Sequence, residues 1–428
     1  MISTAALLQR VQHAFSSDGV VKNTSWLLSA EMISKVSRLF TIIALSSQLS
    51  TATFGVAMLA LACHEIIRTI MRCGAGAQLV QCDEQALKTF AQTAKALQWG
   101  LAGFLFILQF SVAIALGSFY ASDELTHLVQ VMGFTYLLFP IVSINVFLIQ
   151  REGQFKYLSI RNALCIITEN LVTGALVFTP LGIWALVVGK FVFALLWVGF
   201  FYRAPVKQYA LKINFKVLLY LTSTSAHLFI SELLKATKHH ADLFIASKLF
   251  SPEEAGLYAF ARSAGVGLSQ SLSTAFSSAL YPHLCKKFRA NSCAPVSPKL
   301  WFAGAAIAFI FVLQGIAAQL YVPLFFADKW AASIPIVATL CFSAAPFLMF
   351  EVHNTLLRAK GKFSLETKSR LLLLVVTVIV FLMLNPQTAQ DLALCVLYGN
   401  VTTLLFTFIY HLSSGLGLGS NTRCVGHQ

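Results

Sequence analysis

The sequence has 428 residues, 57% of them hydrophobic and only 11% charged, with a formal net charge of +14 and a strongly positive mean hydropathy. Soluble globular chains carry about 25% charged residues, so this composition excludes a soluble domain and requires lipid as the solvent for most of the chain. The nine cysteines are odd in number and lack metal-ligand spacing, which predicts free thiols, no metal site and no cofactor.

Taken in chain order, Met1–Val21 is moderately apolar at Leu7, Leu8, Val11 and Phe15 but lacks the basic start, continuous apolar run and cleavage site of a secretory signal. It is expected to be a cytoplasmic or interfacial amphipathic lead-in. A helix crosses the hydrocarbon core with about 20 apolar residues. Such spans are predicted at Thr53–Met71, Leu101–Tyr120, Leu128–Gln150, Leu158–Phe178, Ile183–Tyr202, Trp301–Val322, Ile334–Leu356, Leu371–Leu384 and Leu392–His411. Leu371–Leu384 is short for a crossing, so its helix should extend into the flanking residues. Three more polar segments complete the set: Trp26–Leu45, Val217–Leu249 (one long helix or a broken one) and Glu254–Tyr281. The expected fold is an all-α polytopic membrane protein of about twelve transmembrane helices.

Lys and Arg in short loops mark the cytoplasmic side of a membrane protein. With these spans nearly every loop Lys and Arg falls on one side, including Arg203, Lys207, Lys212 and Lys216 after the sixth span and Arg358, Lys360, Lys362, Lys368 and Arg370 after the tenth. Only Lys248 and Lys329 fall on the other. A miscounted span would scramble this alternation, and it holds from end to end. Both termini are therefore expected in the cytoplasm of a bacterial inner membrane, and the loop bias accounts for the net charge without nucleic acid as a partner.

Transport folds are often built from two copies of one helical bundle. The ladder Glu31, Lys35, Ser47, Leu49, Gly55, Ala60 reappears as Glu232, Lys235, Ser247, Leu249, Gly256, Ala261, at an offset of 200 or 201. A repeat displaced by six helices returns to the same side of the membrane, so a pseudo-two-fold axis along the membrane normal is expected. It divides the chain into a lead-in (1–21), an N-lobe (22–202), a basic linker (203–216), a C-lobe (217–411) and a cytoplasmic tail (412–428).

A charged residue at the centre of a spanning helix costs about 2.5–3.5 kcal/mol on insertion scales, so it normally faces protein or a watery cavity. Here charges cluster in the first, second, seventh and eighth spans, the equivalent helices of the two proposed halves. The first carries Glu31, Lys35 and Arg38 on one stripe; the second His64, Glu65 and Arg68; the seventh Glu232, Lys235, Lys238, His239, His240 and Asp242; the eighth Arg262. Elsewhere Glu169 and Asn170 sit in the fifth span, Lys190 in the sixth, where it could snorkel, and Glu351, His353 and Asn354 near the end of the tenth. Isolated pairs among these would simply join helices. Their concentration on matching helices instead suits a central cavity between two lobes, and the excess of bases suits an anionic substrate. The bases Lys35, Arg38, Arg68, Lys235, Lys238 and Arg262 are candidate substrate contacts, with Arg forks and Lys point charges suited to a lipid pyrophosphate. Glu31, Glu65, Glu232, His239 and Asp242 are candidates for coupling or gating, and His64, His239 and His240 offer, as the alternative to anion contact, the side-chain type whose ordinary range suits proton coupling.

Four segments carry a family resemblance: Leu49-Ser-Thr-Ala-Thr-Phe-Gly-Val-Ala-Met, Phe147-Leu-Ile-Gln-Arg-Glu-Gly-Gln-Phe-Lys, Gly182-Ile-Trp-Ala-Leu-Val-Val-Gly, and Asp242-Leu-Phe-Ile-Ala-Ser-Lys-Leu-Phe followed by Ala255-Gly-Leu-Tyr. Together they resemble the polysaccharide transporter family of the multidrug/oligosaccharidyl-lipid/polysaccharide flippase superfamily, over about Asn23 to His411, with Ile149 standing where the family pattern has Leu. The resemblance implies two six-helix lobes in a V around a hydrated cavity. It also implies alternating access that carries a sugar headgroup while the polyprenyl tail stays in membrane lipid. The implied substrate is a polyprenyl-pyrophosphate-linked glycan for O-antigen, capsule or exopolysaccharide, with polysaccharide polymerase and export machinery as partners. On this footing Arg38, Arg68, Lys235 and Arg262 are the implied pyrophosphate or acidic-sugar contacts. A cation-coupled multidrug antiporter of the same superfamily would offer buried carboxylates to a cation, whereas this cavity is net basic. A membrane-embedded glycan polymerase or transferase would need reactive groups gathered at one face, and the short outer loops scatter Asp123, His127, Asp328 and Asp391. The chain is therefore not expected to be an enzyme.

Overall fold

A computed structural model describes residues 19–413, with gaps within 73–83, 205–208 and 268–297. Its described residues are helical, joined by short turns, and no strand occurs among them. The α-helices are α1 Gly19–Gln48, α2 Thr51–Arg72, α3 Glu84–Tyr120, α4 Asp123–Gly133, α5 Pro140–Arg151, α6 Phe155–Leu176 and α7 Ala185–Tyr202. They continue as α8 Phe215–Leu249, α9 Pro252–Ala261, α10 Pro298–Phe325, α11 Ile334–Ala359, α12 Phe363–Leu384 and α13 Ala389–Ser413. Helix thus occupies the predicted spans in order among the described residues, and part of Glu254–Tyr281 beyond Gly267 lies outside them. The helix predicted around Leu371–Leu384 extends back to Phe363, and Val217–Leu249 lies within one continuous helix capped by Asn214, whose side chain accepts from the amides of Lys216 and Val217.

The fourth predicted span departs from a straight rod. α4 and α5 are separated by a 3-10 turn at Phe134–Leu137 and bent by 59°, with Pro140, which has no N–H to continue a helical ladder, opening α5. Among the described residues seven helices are long and apolar enough to cross a membrane, and α4 with α5 would form an eighth. The helices that fall short include α1, α6 and α8, which carry intramembrane charges, together with the ten-residue α9. Cys63, Cys82, Cys165, Cys341 and Cys395 are free thiols.

In the first half α1 packs on α6, α6 on α7, and α3 on α4. In the second α10 packs on α11, and α11 and α12 on α13. The halves meet where α2 lies against α9 and α8. At this contact the backbones touch: a Cβ on Gly55 would come 3.2 Å from Gly256 Cα, and a Cβ on Gly256 would strike the Thr51 carbonyl oxygen. Gly55 and Gly256 are counterparts in the sequence ladder. Around them Phe54, Phe260 and Trp330 are fully buried, with Phe260 and Trp330 stacked at 4.2 Å.

Polar contacts fasten the same end of the molecule. Lys329 Nζ donates to the Leu49 and Ser47 carbonyls at 2.8 and 3.3 Å, and Trp330 Nε1 donates to the Ser46 carbonyl at 3.0 Å. Tyr120 Oη donates to the Phe244 carbonyl, and Lys248 Nζ to the Phe119 carbonyl, each at 2.8 Å. Lys248 and Lys329, the two bases that the loop pattern separates from the rest, thus each bind carbonyls at helix ends, Lys248 at the end of α3 and Lys329 at the α1–α2 turn. At the other end of α3, Lys95 donates to the Tyr209 carbonyl at 3.0 Å, and Phe90 meets Tyr220 of α8 edge-on. α8 therefore runs beside α3 of the first half as well as against α9 of its own.

Candidate functional site

Charges of the first half converge from four helices. On α2, one turn apart, Glu65 and Arg68 pair at 3.1 Å. Lys190 of α7 reaches Glu65 at 3.2 Å and Glu169 of α6 at 2.8 Å, so a single ammonium joins two carboxylates on separate helices. Arg38 of α1 stands beside this group. Asn170, next to Glu169, donates to Ser37 Oγ at 2.8 Å, and its carbonyl accepts from Thr41 Oγ1 at 2.9 Å, fixing α6 against α1 on both sides of Arg38. The charges of Glu65, Glu169 and Arg262 act on Arg38, yet its side chain is exposed and makes no ion pair among the described residues.

His64 and Glu65, adjacent on α2, point about 100° apart and do different things. His64 is buried and stacked on Tyr136 with ring centroids 5.0 Å apart. Tyr136 Oη lies 2.9 Å from the His64 carbonyl, and Gln109 Nε2 donates to the Val129 carbonyl at 2.6 Å. This knot holds α2, α3 and α4 together, while Glu65 faces the charges.

In the second half Arg262 pairs with Asp242 at 3.1 Å, Tyr258 Oη donates to the same Asp242 oxygen at 2.9 Å, and Arg262 Nη2 lies 3.2 Å from His239 Nδ1. Arg262 begins a π-helical turn through Val266, an irregularity frequent at functional sites. The rings of His239 and His240 sit 4.6 Å apart. Lys238 is half-buried and, like Arg38, makes no ion pair among the described residues. At the ladder offset of 200, Arg38 and Lys238 are counterparts. The charges of Arg38, Lys238 and Arg262 all act on His239, so groups from both halves share one region. The side chains of Glu31, Lys35, Glu232 and Lys235, also candidates from the sequence, lie outside the described residues.

The balance of this region is set by pairing. Glu65, Glu169 and Asp242 are each held by a base of the protein, which engages Arg68, Lys190 and Arg262 and leaves Arg38 and Lys238 without an acid among the described residues. Glu169 and Lys190 were absent from the sequence-derived candidates. Their signal was a lysine inside the strongly apolar α7, which needs a partner unless it snorkels to an interface.

A second ionic group lies near the end of α11, where Glu351, Glu366 and Arg370 are buried. Arg370 of α12 binds Glu351 through two nitrogens at 2.8 and 3.2 Å, and Glu366 accepts from Arg370 at 3.2 Å and from Arg358 at 2.6 and 3.0 Å. Among the described residues two acids and two bases pair there, which suits an anchor between helices.

A family profile described as "Polysaccharide biosynthesis protein" matches residues 45–335, well over half of the sequence. The chain belongs to the polysaccharide biosynthesis protein family. No protein of curated function matches the sequence significantly. Among solved structures, a lipid II flippase MurJ in an inward closed conformation is similar with a TM-score of 0.70 at 10% identity, over 90% of this chain and 87% of the other. An inward-facing multidrug resistance MATE family transporter of the MOP superfamily is similar at 0.63 and 13% identity, over 92% and 98%. A MOP superfamily transporter from Pyrococcus furiosus, described as having a binding pocket of reverse polarity, is similar at 0.58 and 14% identity, over 94% and 97%. At such identities the likeness shows the fold: this member of the polysaccharide biosynthesis family is a multi-pass membrane protein with the architecture of MOP-superfamily transporters.

Proposed function

We propose that the chain is a flippase that moves a polyprenyl-pyrophosphate-linked oligosaccharide repeat unit across the bacterial inner membrane, for export of O-antigen, capsule or exopolysaccharide. The observation that carries this reading is the pair Arg38 and Lys238, one base from each half and neither ion-paired among the described residues, beside carboxylates already held by other bases. Among the described residues the site has no acid left over for a cationic drug, and it presents positive charge to a phosphate.

Residues 22–202 and 217–411 act as two lobes that exchange access to the two membrane faces, joined by the basic linker 203–216. Both termini and the basic loops face the cytoplasm. The fastening of the opposite end by Gly55–Gly256, Lys329 and Trp330 then corresponds to an outer closure with the headgroup site reached from inside. The polyprenyl tail stays in membrane lipid while the glycan crosses, and the product passes to polymerase and export machinery.

The profile of lipid-linked glycans, measured by mass spectrometry in cells lacking the gene and in complemented cells, tests this reading. One complete polyprenyl-pyrophosphate repeat unit should accumulate in the cytoplasmic leaflet and clear on complementation. An unchanged lipid pool with altered sensitivity to cationic compounds would replace the flippase reading with a drug antiporter.

A further inference from the structure

A guanidinium beside two carboxylates ordinarily pairs with one of them, because a charge-assisted, two-point contact is the strongest that either group can make. Arg38 does not, although Glu65 and Glu169 supply the opposite charges that act on it. Both acids are occupied elsewhere. Lys190 lies 3.2 Å from Glu65 and 2.8 Å from Glu169, and the side chains of Lys190 and Glu169 retain only 11% and 14% of their exposure. Glu65 has Arg68 as a second partner at 3.1 Å, whereas Lys190 is the one base bonded to Glu169 among the described residues. The Asn170 contacts to Ser37 and Thr41 hold this stretch of α6 against α1 at the level of Arg38.

We propose that Lys190 is a positioning residue for anion recognition: from α7 it holds the carboxylates of Glu169 on α6 and Glu65 on α2, and so keeps the Arg38 guanidinium open to a phosphate-bearing headgroup. The part that concerns the headgroup rests on the flippase reading above; the control of Arg38 by Lys190 does not. Without the ammonium, Glu169 is left as a little-exposed charge with no base bonded to it among the described residues, and Arg38, on which that charge already acts, turns to it. The site would then lose its anion-binding base without any change at Arg38 itself.

Modification of Arg38 by phenylglyoxal, an arginine-selective dicarbonyl, followed by peptide mass spectrometry on the full chain in nanodiscs, reads this directly. Arg38 of the parent protein and of Lys190→Arg should react readily. Lys190→Met should react roughly tenfold more slowly, the effect of a pairing preference of about 1.4 kcal/mol, and Lys190→Met/Glu169→Gln should recover the parent rate. If Lys190→Met does not accumulate, Lys190→Gln, which keeps a donor but no charge, gives the same comparison. Unchanged or faster modification in the single variant would overturn the proposal, since a merely structural lysine would loosen the site on removal and expose Arg38 further.

Binding of a polyprenyl diphosphate to the same nanodiscs supplies the second arm. Lys190→Met should weaken binding in the parent background and have no further effect in Arg38→Ala, whereas equal weakening in both backgrounds would show that Lys190 does not act through Arg38. Failure of the parent to bind the lipid would count against the flippase reading alone, and the phenylglyoxal series would still decide the role of Lys190.

Discussion

Arg68 and Arg262 occupy related places in the charge pattern, yet losing them should have unequal effects. Arg262 is the ion-pair partner of Asp242 among the described residues, and both side chains are little exposed. Arg262→Ala strands a carboxylate whose remaining hydrogen bond among the described residues is from the Tyr258 hydroxyl, and breaking a buried pair from one side costs about 3–5 kcal/mol. Membrane abundance of Arg262→Ala should therefore fall, and Arg262→Ala/Asp242→Asn should restore it, as quantitative immunoblotting would show. In Arg68→Ala, Lys190 still holds Glu65, so abundance should stay near that of the parent. Arg38→Ala and Lys238→Ala remove no ion pair among the described residues. Each should accumulate normally and lose transport by about tenfold or more, the effect of about 1.4 kcal/mol, in lipid-linked glycan profiles of complemented cells. Spacing along a helix shows which charges share a face but not which acid on another helix answers each base. For that reason the sequence ranked Arg68 and Arg262 beside Arg38, and Lys190 read equally well as a snorkelling side chain.

The helices themselves were more legible. Hydropathy alone places most of them because each must satisfy its backbone internally and turn apolar side chains outward, as α10 does with Phe302, Phe309 and Leu320. The polar helices α1 and α8 were harder to delimit, since their charges turn to protein and break the apolar run that marks a span. The bend between α4 and α5 had a visible cause in Pro140, but its angle is set by neighbours that a linear reading does not see. The α2–α9 contact makes a prediction at this scale. Gly256 has no room for a Cβ against the Thr51 carbonyl, so Gly256→Val should push the two helices apart and loosen the fastened end. A cysteine introduced at Thr51 should then react faster with a membrane-impermeant maleimide than the same cysteine beside Gly256. Unaltered labelling would mean that this contact does not hold the halves together.

For the whole molecule, the loop charges and the closure at one end make a joint statement about orientation. Lys329 lies at the fastened end with the Leu49 carbonyl, and Lys212 lies in the basic linker. An impermeant thiol reagent applied to intact spheroplasts should label Lys329→Cys and spare Lys212→Cys, and inverted vesicles should reverse the pattern. The sequence repeat that relates Gly55 to Gly256 also relates Arg38 to Lys238, two bases of the charged region that make no ion pair among the described residues, an arrangement suited to an anionic headgroup. The most direct test of that account is translocation by the purified chain in vesicles, using a fluorescent polyprenyl-diphosphate saccharide and an impermeant quencher. Protein-dependent transfer of the lipid between leaflets, abolished by Arg38→Ala/Lys238→Ala at equal reconstitution, is the predicted result. A lipid that keeps its original sidedness in vesicles containing correctly folded parent protein would contradict it.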